Sequence, residues 1–253
     1  MSRKPVGSGR IPRKASKRPA SMAFRARRIG RRETPIRLGN PSKRISSGLS
    51  PVTMHKYHAD QVWFEGKLEQ ELLVQLAVRA DTAAIEQEVP PFEWSDGRRW
   101  FTYRPRFCVR RTNGSAALIE VSWAAKAEKL GLREVLGLVE PFARAAGYSC
   151  IELYTDVQIR RPARLANAYL LRRAASQPPD AALLERIIDR AHAAGVPVLG
   201  ERLVDGLAAG PSALLAVARL VFDGMLKPVD ASVRITLEAE FATATQKGKS
   251  HAS

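Results

Sequence analysis

Hydrophobic residues first recur at a regular spacing between Lys67 and Val78, and the spacing is that of a helix. The residues that share its apolar face are Leu68, Leu72, Leu73 and Leu76. Alternation with aromatic residues then predicts a strand from Arg99 to Arg110, and Asn113-Gly114 favours a hairpin turn. The apolar run from Ala117 to Ser122 predicts a short strand that is central in a sheet and buried.

A second helical stretch connects this central strand to the next one. Residues Lys126 to Ala146 show apolar side chains at helical spacing, and Gly147 is suited to end the helix. The run from Ser149 to Tyr154 is then predicted to be a strand. A strand–helix–strand crossover of this length usually joins parallel strands. With Asp81 to Glu88 as a further short strand, residues 51–161 are predicted to form a mixed α/β domain.

From Pro162 onwards the pattern is mostly helical. Asp180 is a plausible N-cap for the second of three helices, and Gly195 is expected to end that helix. The predicted elements are helices from Pro162 to Ala175, from Asp180 to Gly195 and from Gly210-Pro211-Ser212 onwards, then strands from Met225 to Val229 and from Val233 to Leu237. Three helices and a small hairpin are typical of a winged-helix domain, predicted here over residues 162–240. Residues 241–253 are expected to be a disordered tail.

Positive charge is concentrated at the N-terminus. Residues 1–50 hold 15 Lys and Arg and one acidic residue, Glu33, so +14 of the net charge of +16 lies there. This stretch has few large apolar side chains, so residues 1–50 are expected to be a disordered basic arm. A mobile cationic arm favours a polyanion such as DNA. A solvated tail and an organelle-targeting peptide are the alternatives, although no sustained amphipathic period supports targeting.

Several basic residues are candidates for contact with DNA. In the arm these are Arg25, Arg27, Arg28, Arg31, Arg32, Lys43 and Arg44. Arg98 and Arg99 lie between Trp94 and Trp100 and are expected at the tip of a hairpin, which either contacts a phosphate backbone or is a simple solvated turn. Arg110 and Arg111, beside the Asn113-Gly114 turn, are expected to form a similar basic tip.

The remaining composition excludes several classes of protein. Two cysteines, Cys108 and Cys150, are too few for a disulfide framework or a zinc site, and both are expected to be buried free thiols in a reducing compartment. No apolar stretch is long enough to cross a membrane, and the N-terminus lacks the apolar region of a signal peptide. A cytoplasmic protein without a membrane partner is therefore expected.

Six weak motifs occur in a particular order between Asn40 and Ile159. The motifs are Asn40 to Ser47, Phe64 to Glu69, Glu86 to Pro90, Tyr103 to Phe107, Leu118 to Ser122 and Gly147 to Asp156. In this order and spacing the segment resembles the N-terminal endonuclease domain of the TnsA-type transposon endonuclease family. The C-terminal region is similar to that family's winged-helix part more loosely. The resemblance implies a restriction-endonuclease-like mixed sheet flanked by helices, and a role in DNA transposition and recombination.

The resemblance also implies the position of a metal-dependent nuclease site. Glu69 would be the carboxylate supplied by a helix, and Glu120 would be the metal ligand on the second strand. Arg106 stands where the family has a metal-binding Asp, and Ser122 stands where it has a Lys. A cation in place of an anionic ligand is unfavourable for Mg²⁺, which prefers several oxygen ligands. We expect the Arg106 guanidinium to pair with Glu69 and Glu120, unless Arg106 instead extends into solvent at a strand end.

Three hypotheses follow from this pattern. In the first, the chain is a catalytically impaired relative that acts as a DNA- or transposase-binding subunit without a cofactor. In the second, it is an active Mg²⁺-dependent endonuclease whose site has been rebuilt from other carboxylates. The candidates for such a site are Glu65, Glu71, Glu88, Glu93 and Asp96. In the third, the fold is a scaffold for a regulatory or packaging protein that contacts nucleic acid mainly through its arm.

Overall fold

The N-terminal part of the fold is built on a four-stranded mixed sheet. The computed structural model describes residues 62, 64, 66–87, 89–95 and 100–244. The strands of this part of the chain are β1 (Thr82–Glu86), β2 (Phe92–Ser95), β3 (Trp100–Tyr103), β4 (Phe107–Arg111), β5 (Ala116–Ser122) and β6 (Cys150–Thr155). The sheet order is β1-β4-β5-β6, and β2 and β3 pair separately as an antiparallel hairpin.

The predicted central strand is confirmed. Strand β5 pairs antiparallel with β4 across the Asn113-Gly114 turn and parallel with β6. The middle of β5 is fully buried at Ala117, Leu118 and Ile119. Gly114 has a φ of 83°, a conformation that glycine adopts without steric cost and that the tight turn requires. The crossover between β5 and β6 is helical, as expected for parallel strands.

Helices cover both faces of the sheet. The N-terminal helices are α1 (Lys67–Ala77), α2 (Ala124–Leu130) and α3 (Leu132–Ala145). The apolar face of α1 packs on Phe107, Ala117 and Ile119, whereas α3 packs with Leu136 and Val139 on the opposite face. The alternation of side chains along β5 explains this arrangement, because odd and even positions of a strand face opposite sides. Glu120 and Ser122 therefore share a face with Leu118.

Two predicted elements are each divided in the structure. The strand expected from Arg99 to Arg110 is interrupted between β3 and β4, where Pro105 has no N–H to donate to a neighbouring strand. The helix expected from Lys126 to Ala146 is two helices, α2 and α3, separated by Gly131 in the left-handed conformation with φ of 58°. Both interruptions occur at residues whose backbone chemistry disfavours a continuous element.

The C-terminal part is helical with a small antiparallel sheet. It comprises α4 (Asp156–Ile159), α5 (Pro162–Ser176), α6 (Ala181–Ala194), β7 (Val198–Leu199), α7 (Gly200–Val204), α8 (Gly210–Phe222), β8 (Leu226–Pro228) and β9 (Glu240–Thr243). The sheet order is β7-β9-β8. Asp180 caps α6 as predicted, because its carboxylate accepts a hydrogen bond from the N–H of Leu183 at 3.1 Å. Gly195 ends the helix with φ of 63°.

The strand predicted from Val233 to Leu237 is wrong. The side chain of Asn167 satisfies the backbone there, since it donates to the carbonyl of Val233 at 2.8 Å and accepts from the N–H of Ile235 at 2.8 Å. The second strand of the hairpin is instead β9, which ends at Thr243. The ordered sheet thus extends beyond the predicted domain end at residue 240. Elements α4, β7 and α7 were not predicted, because each is too short to show a period.

Helix α5 connects the two halves of the fold. Ala168 and Tyr169 pack with the core beneath α1, whereas Leu170 and Leu171 pack against the C-terminal core around Val217 and Leu220. Among the helices of the described residues, none is both long enough and apolar enough to span a membrane.

Candidate functional site

Arg106 lies at the bend between β3 and β4 and points towards α1. Its backbone N–H donates to the carbonyl of Ile119 at 3.0 Å, which fixes the bend against the central strand. The guanidinium Nη2 donates to the Oε2 atom of Glu69 at 2.7 Å. The two side chains are only 11% and 16% exposed, so this is a largely buried ion pair. The interpretation that Arg106 extends into solvent is therefore wrong.

Glu69 is held in this position by the first turn of α1. The neighbouring residues Leu68 and Leu72 are buried in the core beneath the helix. The N–H of Gln70 bonds to the carbonyl of Gly66 at 3.1 Å, which closes the first helical turn. A carboxylate in the first turn is also favoured by the helix dipole. Arg106 thus meets a carboxylate whose place is set by the packing of the helix.

Glu120 completes the group from the central strand. The hydroxyl of Tyr103 donates to its Oε2 atom at 2.7 Å. Burial raises the pKa of Glu120 to about 7, and the Tyr103 hydrogen bond and the charge of Arg106 oppose that rise. Burial likewise raises the pKa of Tyr103 well above its usual value, and the adjacent carboxylate adds to the effect. Glu120 therefore titrates near neutral pH.

Ser122 follows two residues later on the same face of β5. Its side chain is 6% exposed, and its Oγ has no hydrogen-bond partner among the described residues. Ser122 pairs across the parallel ladder with Thr155 of β6. The position that a lysine would hold in the family pattern therefore carries a short, buried hydroxyl with no charge.

The structure brings the predicted carboxylates Glu69 and Glu120 close enough to Arg106 for its charge to act on both. Arg106 binds Glu69 directly, and it lowers the pKa of Glu120 through its charge. The ion pair expected with Glu69 is confirmed. The hydrogen bond that Glu120 accepts from Tyr103 was not foreseen. This hydrogen bond joins Tyr103, in the motif from Tyr103 to Phe107, to Glu120, in the motif from Leu118 to Ser122.

This arrangement does not fit a Mg²⁺ ion. The Arg106 guanidinium lies on a carboxylate oxygen that an ion would need, and its charge opposes a divalent cation nearby. Within the described residues, no three His, Cys, Asp or Glu side chains are grouped so that they could hold a metal ion. Of the alternative carboxylates, Glu71 pairs with Arg160 at 2.7 Å and Glu93 is exposed on β2. Glu65, Glu88 and Asp96 lie outside the described residues.

A second polar group next to this site was not predicted. The Asp156 carboxylate accepts a hydrogen bond from the N–H of Ala124 at 2.6 Å, which joins the start of α2 to the end of β6. Thr155 and Gln158 form a capping box at the start of α4. The Thr-x-x-Gln spacing is visible in the sequence and could have predicted this short helix.

The predicted basic tip at Arg110 and Arg111 is wrong for Arg111. Its guanidinium binds Asp81 at 2.6 Å and Glu152 at 2.5 Å, and the side chain is 17% exposed. Arg79 also binds Asp81, at 2.7 Å. Arg110 pairs with Glu86 at 2.5 Å on the exposed edge of the sheet. Arg79 and Arg111 therefore connect the chain after α1 to β4 and β6, whereas Arg110 connects β4 to β1.

The DNA-contact candidates of the arm and of the β2–β3 tip lie outside the described residues. They are Arg25, Arg27, Arg28, Arg31, Arg32, Lys43, Arg44, Arg98 and Arg99. The β2–β3 hairpin itself is confirmed, with Phe92 opposite Tyr103 and Ser95 opposite Trp100.

In comparisons with known proteins, no protein-family model matches the chain and no curated protein sequence matches it. The functional interpretation therefore rests on the geometry of the site and on the distribution of charge along the chain.

Proposed function

We propose that this chain is a DNA-associated protein that resembles the TnsA-type transposon endonucleases and has an impaired catalytic site. Its function would be to bind DNA, or to bind a transposase on DNA, rather than to cleave it. The observation that carries this proposal is the buried ion pair between Arg106 and Glu69 at 2.7 Å.

The ion pair argues against metal binding on energetic grounds. An arginine stays charged at physiological pH, so the pair cannot be released by deprotonation of Arg106. Removal of one partner from a buried ion pair costs about 3–5 kcal/mol, because the other charge is left without compensation. A metal ion would have to displace Arg106 from Glu69 at this cost. It would then still be repelled by the positive charge of the nearby guanidinium.

The state of Glu120 supports the same conclusion. Because burial raises the pKa of Glu120 to about 7, a divalent cation would have to compete with a proton for this carboxylate near neutral pH. Ser122 supplies no positive charge to activate a water molecule. Three of the four positions in the family pattern are thus unfavourable for cleavage.

Contact with DNA is supported mainly by charge. The excess of +14 within residues 1–50 is sufficient for strong, salt-dependent association with a polyanion. In the described part of the chain, residues 157–179 carry five arginines and no acidic residue. Contact would therefore involve both the arm and the folded body.

The C-terminal part is better suited to a protein partner than to base recognition. Its helices α5, α6 and α8 and its three-stranded sheet have the outline of a winged helix. Helix α8 carries a single basic residue, Arg219, and this guanidinium binds Asp223 at 2.7 Å. A helix that reads bases usually presents several polar or basic side chains to the groove. We therefore assign this part to docking of a partner such as a transposase.

Metal titration by calorimetry on the full chain tests the impaired site. Mg²⁺ and Mn²⁺ should give no binding heat with the wild type, and the variant Arg106→Asp/Ser122→Lys should bind Mn²⁺. Arg144→Asp is the control, because it makes the same Arg-to-Asp substitution at an exposed pair on α3. Tight binding by the wild type would instead support the active endonuclease with a rebuilt carboxylate site.

DNA association is tested separately by fluorescence anisotropy with a labelled duplex. The full chain should bind, and its affinity should fall steeply as salt rises. If deletion of residues 1–50 abolished all binding, the arm would be the main contact and the fold a scaffold. If the full chain failed to bind DNA at low salt, the proposed function would be wrong.

A further inference from the structure

An exposed tryptophan lies beside the candidate site. Trp123 follows β5 directly, and 49% of its surface is exposed although it is the bulkiest type of side chain. The Arg160 guanidinium lies over its ring, 4.8 Å from the ring centroid. We call Trp123, Arg160, Arg161 and Arg164 the Trp123 surface.

The Trp123 surface is held in place from beneath. Arg160 donates from Nε to the Oε2 atom of Glu71 at 2.7 Å, and the Glu71 side chain is only 8% exposed. The residue after Trp123 is fixed as well, because the N–H of Ala124 donates to Asp156. Both the arginine that contacts the indole and the backbone that follows Trp123 are therefore anchored. An aromatic side chain with fixed orientation loses little entropy on binding a flat ligand.

Arg160 contacts the indole, and further exposed basic residues lie close to Arg160 and Trp123 along the chain. Arg160, Arg161 and Arg164 are exposed at the start of α5, and residues 157–179 contain no acidic side chain. Shortly after Trp123 in the sequence, Lys126 and Lys129 of α2 are exposed, with Glu128 between them. An exposed aromatic ring among cations is the combination that binds unpaired nucleotides, since bases stack on the ring and phosphates meet the cations.

We propose that the Trp123 surface binds single-stranded DNA, with one base stacked on the Trp123 indole and the adjacent phosphates bound by Arg161 and Arg164. Duplex DNA suits this surface less well, because both faces of a paired base are already stacked on the neighbouring base pairs. The proposal deepens the proposed function and rests on it, since it names the form of DNA and the residues of the folded body that contact it. Unpaired bases of this kind occur at broken or distorted DNA ends.

Three probes of equal length separate stacking from charge. They are an oligo(dT) strand, the same backbone with abasic sites in place of the bases, and a duplex. Binding of the full chain is compared for the wild type, Trp123→Ala and Trp123→Phe, with Val229→Ala as a control at another exposed apolar residue. Thermal melting of each variant verifies that the fold is retained.

Trp123→Ala should weaken oligo(dT) binding by about 10-fold or more and leave abasic binding unchanged, because only the stacking contact is lost. Trp123→Phe should retain most of the affinity, and oligo(dT) should quench tryptophan fluorescence less in this variant than in the wild type. Arg161→Ala/Arg164→Ala should weaken binding of all three probes and reduce the salt dependence by about two phosphate contacts.

Equal affinity of the wild type and Trp123→Ala for oligo(dT), with no difference in quenching between the wild type and Trp123→Phe, would overturn the proposal. The proposal that the chain binds DNA would be unaffected by that result. If Trp123→Ala weakened binding of oligo(dT) and of the abasic strand equally, the proposal would also be overturned, because the surface would then act by shape or charge alone. If the wild type bound none of the three probes, the proposed function would fail together with this inference.

Discussion

The Tyr103 hydroxyl donates to the Oε2 atom of Glu120 at 2.7 Å and joins the end of β3 to the central strand β5. Burial of the Glu120 carboxyl raises its pKa to about 7. A hydroxyl donor favours the ionised carboxylate, whereas burial favours the protonated one. The balance of the two places the titration of Glu120 within the physiological range, where it is linked to the stability of the fold.

Stability should fall as pH rises through this range. The pKa of Glu120 is about 7 in the folded chain and near 4.5 in the unfolded chain. The folded chain therefore holds this proton more tightly, and the resulting stabilisation is complete below pH 4.5 and lost as pH rises through 7. The loss amounts to about 3 kcal/mol. Glu120→Gln should not show it, so denaturant unfolding of both proteins from pH 4 to 8.5 isolates this group. Parallel pH profiles would contradict the assignment.

Removal of the Tyr103 hydroxyl should raise the pKa of Glu120 further. In Tyr103→Phe the carboxylate loses its donor while it remains buried, so the unfolding free energy should drop by about 1–3 kcal/mol at pH 8. The drop should be smaller at pH 5, where Glu120 is mostly protonated. Carboxyl ¹³C chemical shifts, assigned with Glu120→Gln, report the pKa directly. Tyr169→Phe serves as the control, because among the described residues its hydroxyl accepts just one long contact, from Lys67 at 3.4 Å.

The features that the sequence predicts correctly depend on local patterns. The central strand, the Asn113-Gly114 turn and the parallel crossover each follow from spacing and turn chemistry within about thirty residues of chain. The Arg106–Glu69 pair was also predictable, because a cation placed among carboxylates needs an anionic partner. Opposite charge restricts the choice of partner even when the fold is known only in outline.

The features that the sequence misses depend on contacts between distant residues. Asn167 satisfies the backbone at Val233 and Ile235 from 66 and 68 positions away, so an apparent strand becomes irregular chain. The anchoring of Arg160 by Glu71 spans 89 positions. No periodicity records such pairs, since periodicity reflects which face of an element is apolar and not which polar groups meet there.

Arg111 should contribute far more to stability than its neighbour Arg110. Arg111 is largely buried and binds two acidic residues, Asp81 and Glu152, whereas Arg110 forms an exposed pair with Glu86. Arg111→Ala should lower the unfolding free energy by about 2 kcal/mol, since it removes the arginine bound to Glu152 and one of the two arginines bound to Asp81. Arg110→Ala should change it by about 0.5 kcal/mol or less. Urea unfolding of both variants makes the comparison, and similar losses would show that the Arg111 network is no stronger than a surface pair.

Two glycine-to-alanine substitutions should have opposite effects. A Cβ at Gly200 would lie 2.9 Å from the carbonyl oxygen and 3.0 Å from the Cα of Leu237, and neither backbone atom moves easily. Gly200→Ala should therefore cost about 1–3 kcal/mol. Gly137 lies within α3, and a Cβ added there would meet no atom from outside its own helix backbone within 4 Å. Gly137→Ala should therefore stabilise the helix by about 0.5–1 kcal/mol. Thermal unfolding should show a lower melting temperature for Gly200→Ala and a higher one for Gly137→Ala. If Gly200→Ala left the melting temperature unchanged, the backbone at Leu237 would have moved to make room for the added Cβ.

A double-mutant cycle on Arg106 and Glu69 measures the pair that replaces the expected metal site. Arg106→Met should destabilise the fold by about 3 kcal/mol, because it leaves the Glu69 carboxylate largely buried without this partner. Glu69→Gln should cost less, since the amide oxygen can still accept from the guanidinium. The double variant should be more stable than the sum of the single effects predicts, with a coupling energy of about 2 kcal/mol.

The exposed pair of Arg144 and Glu140 on α3, at 2.8 Å, is the matched control and should couple by only about 0.5 kcal/mol. If both cycles gave the same small coupling, the Arg106–Glu69 pair would be weak enough for a metal ion to displace, and the argument for an impaired site would lose its energetic basis.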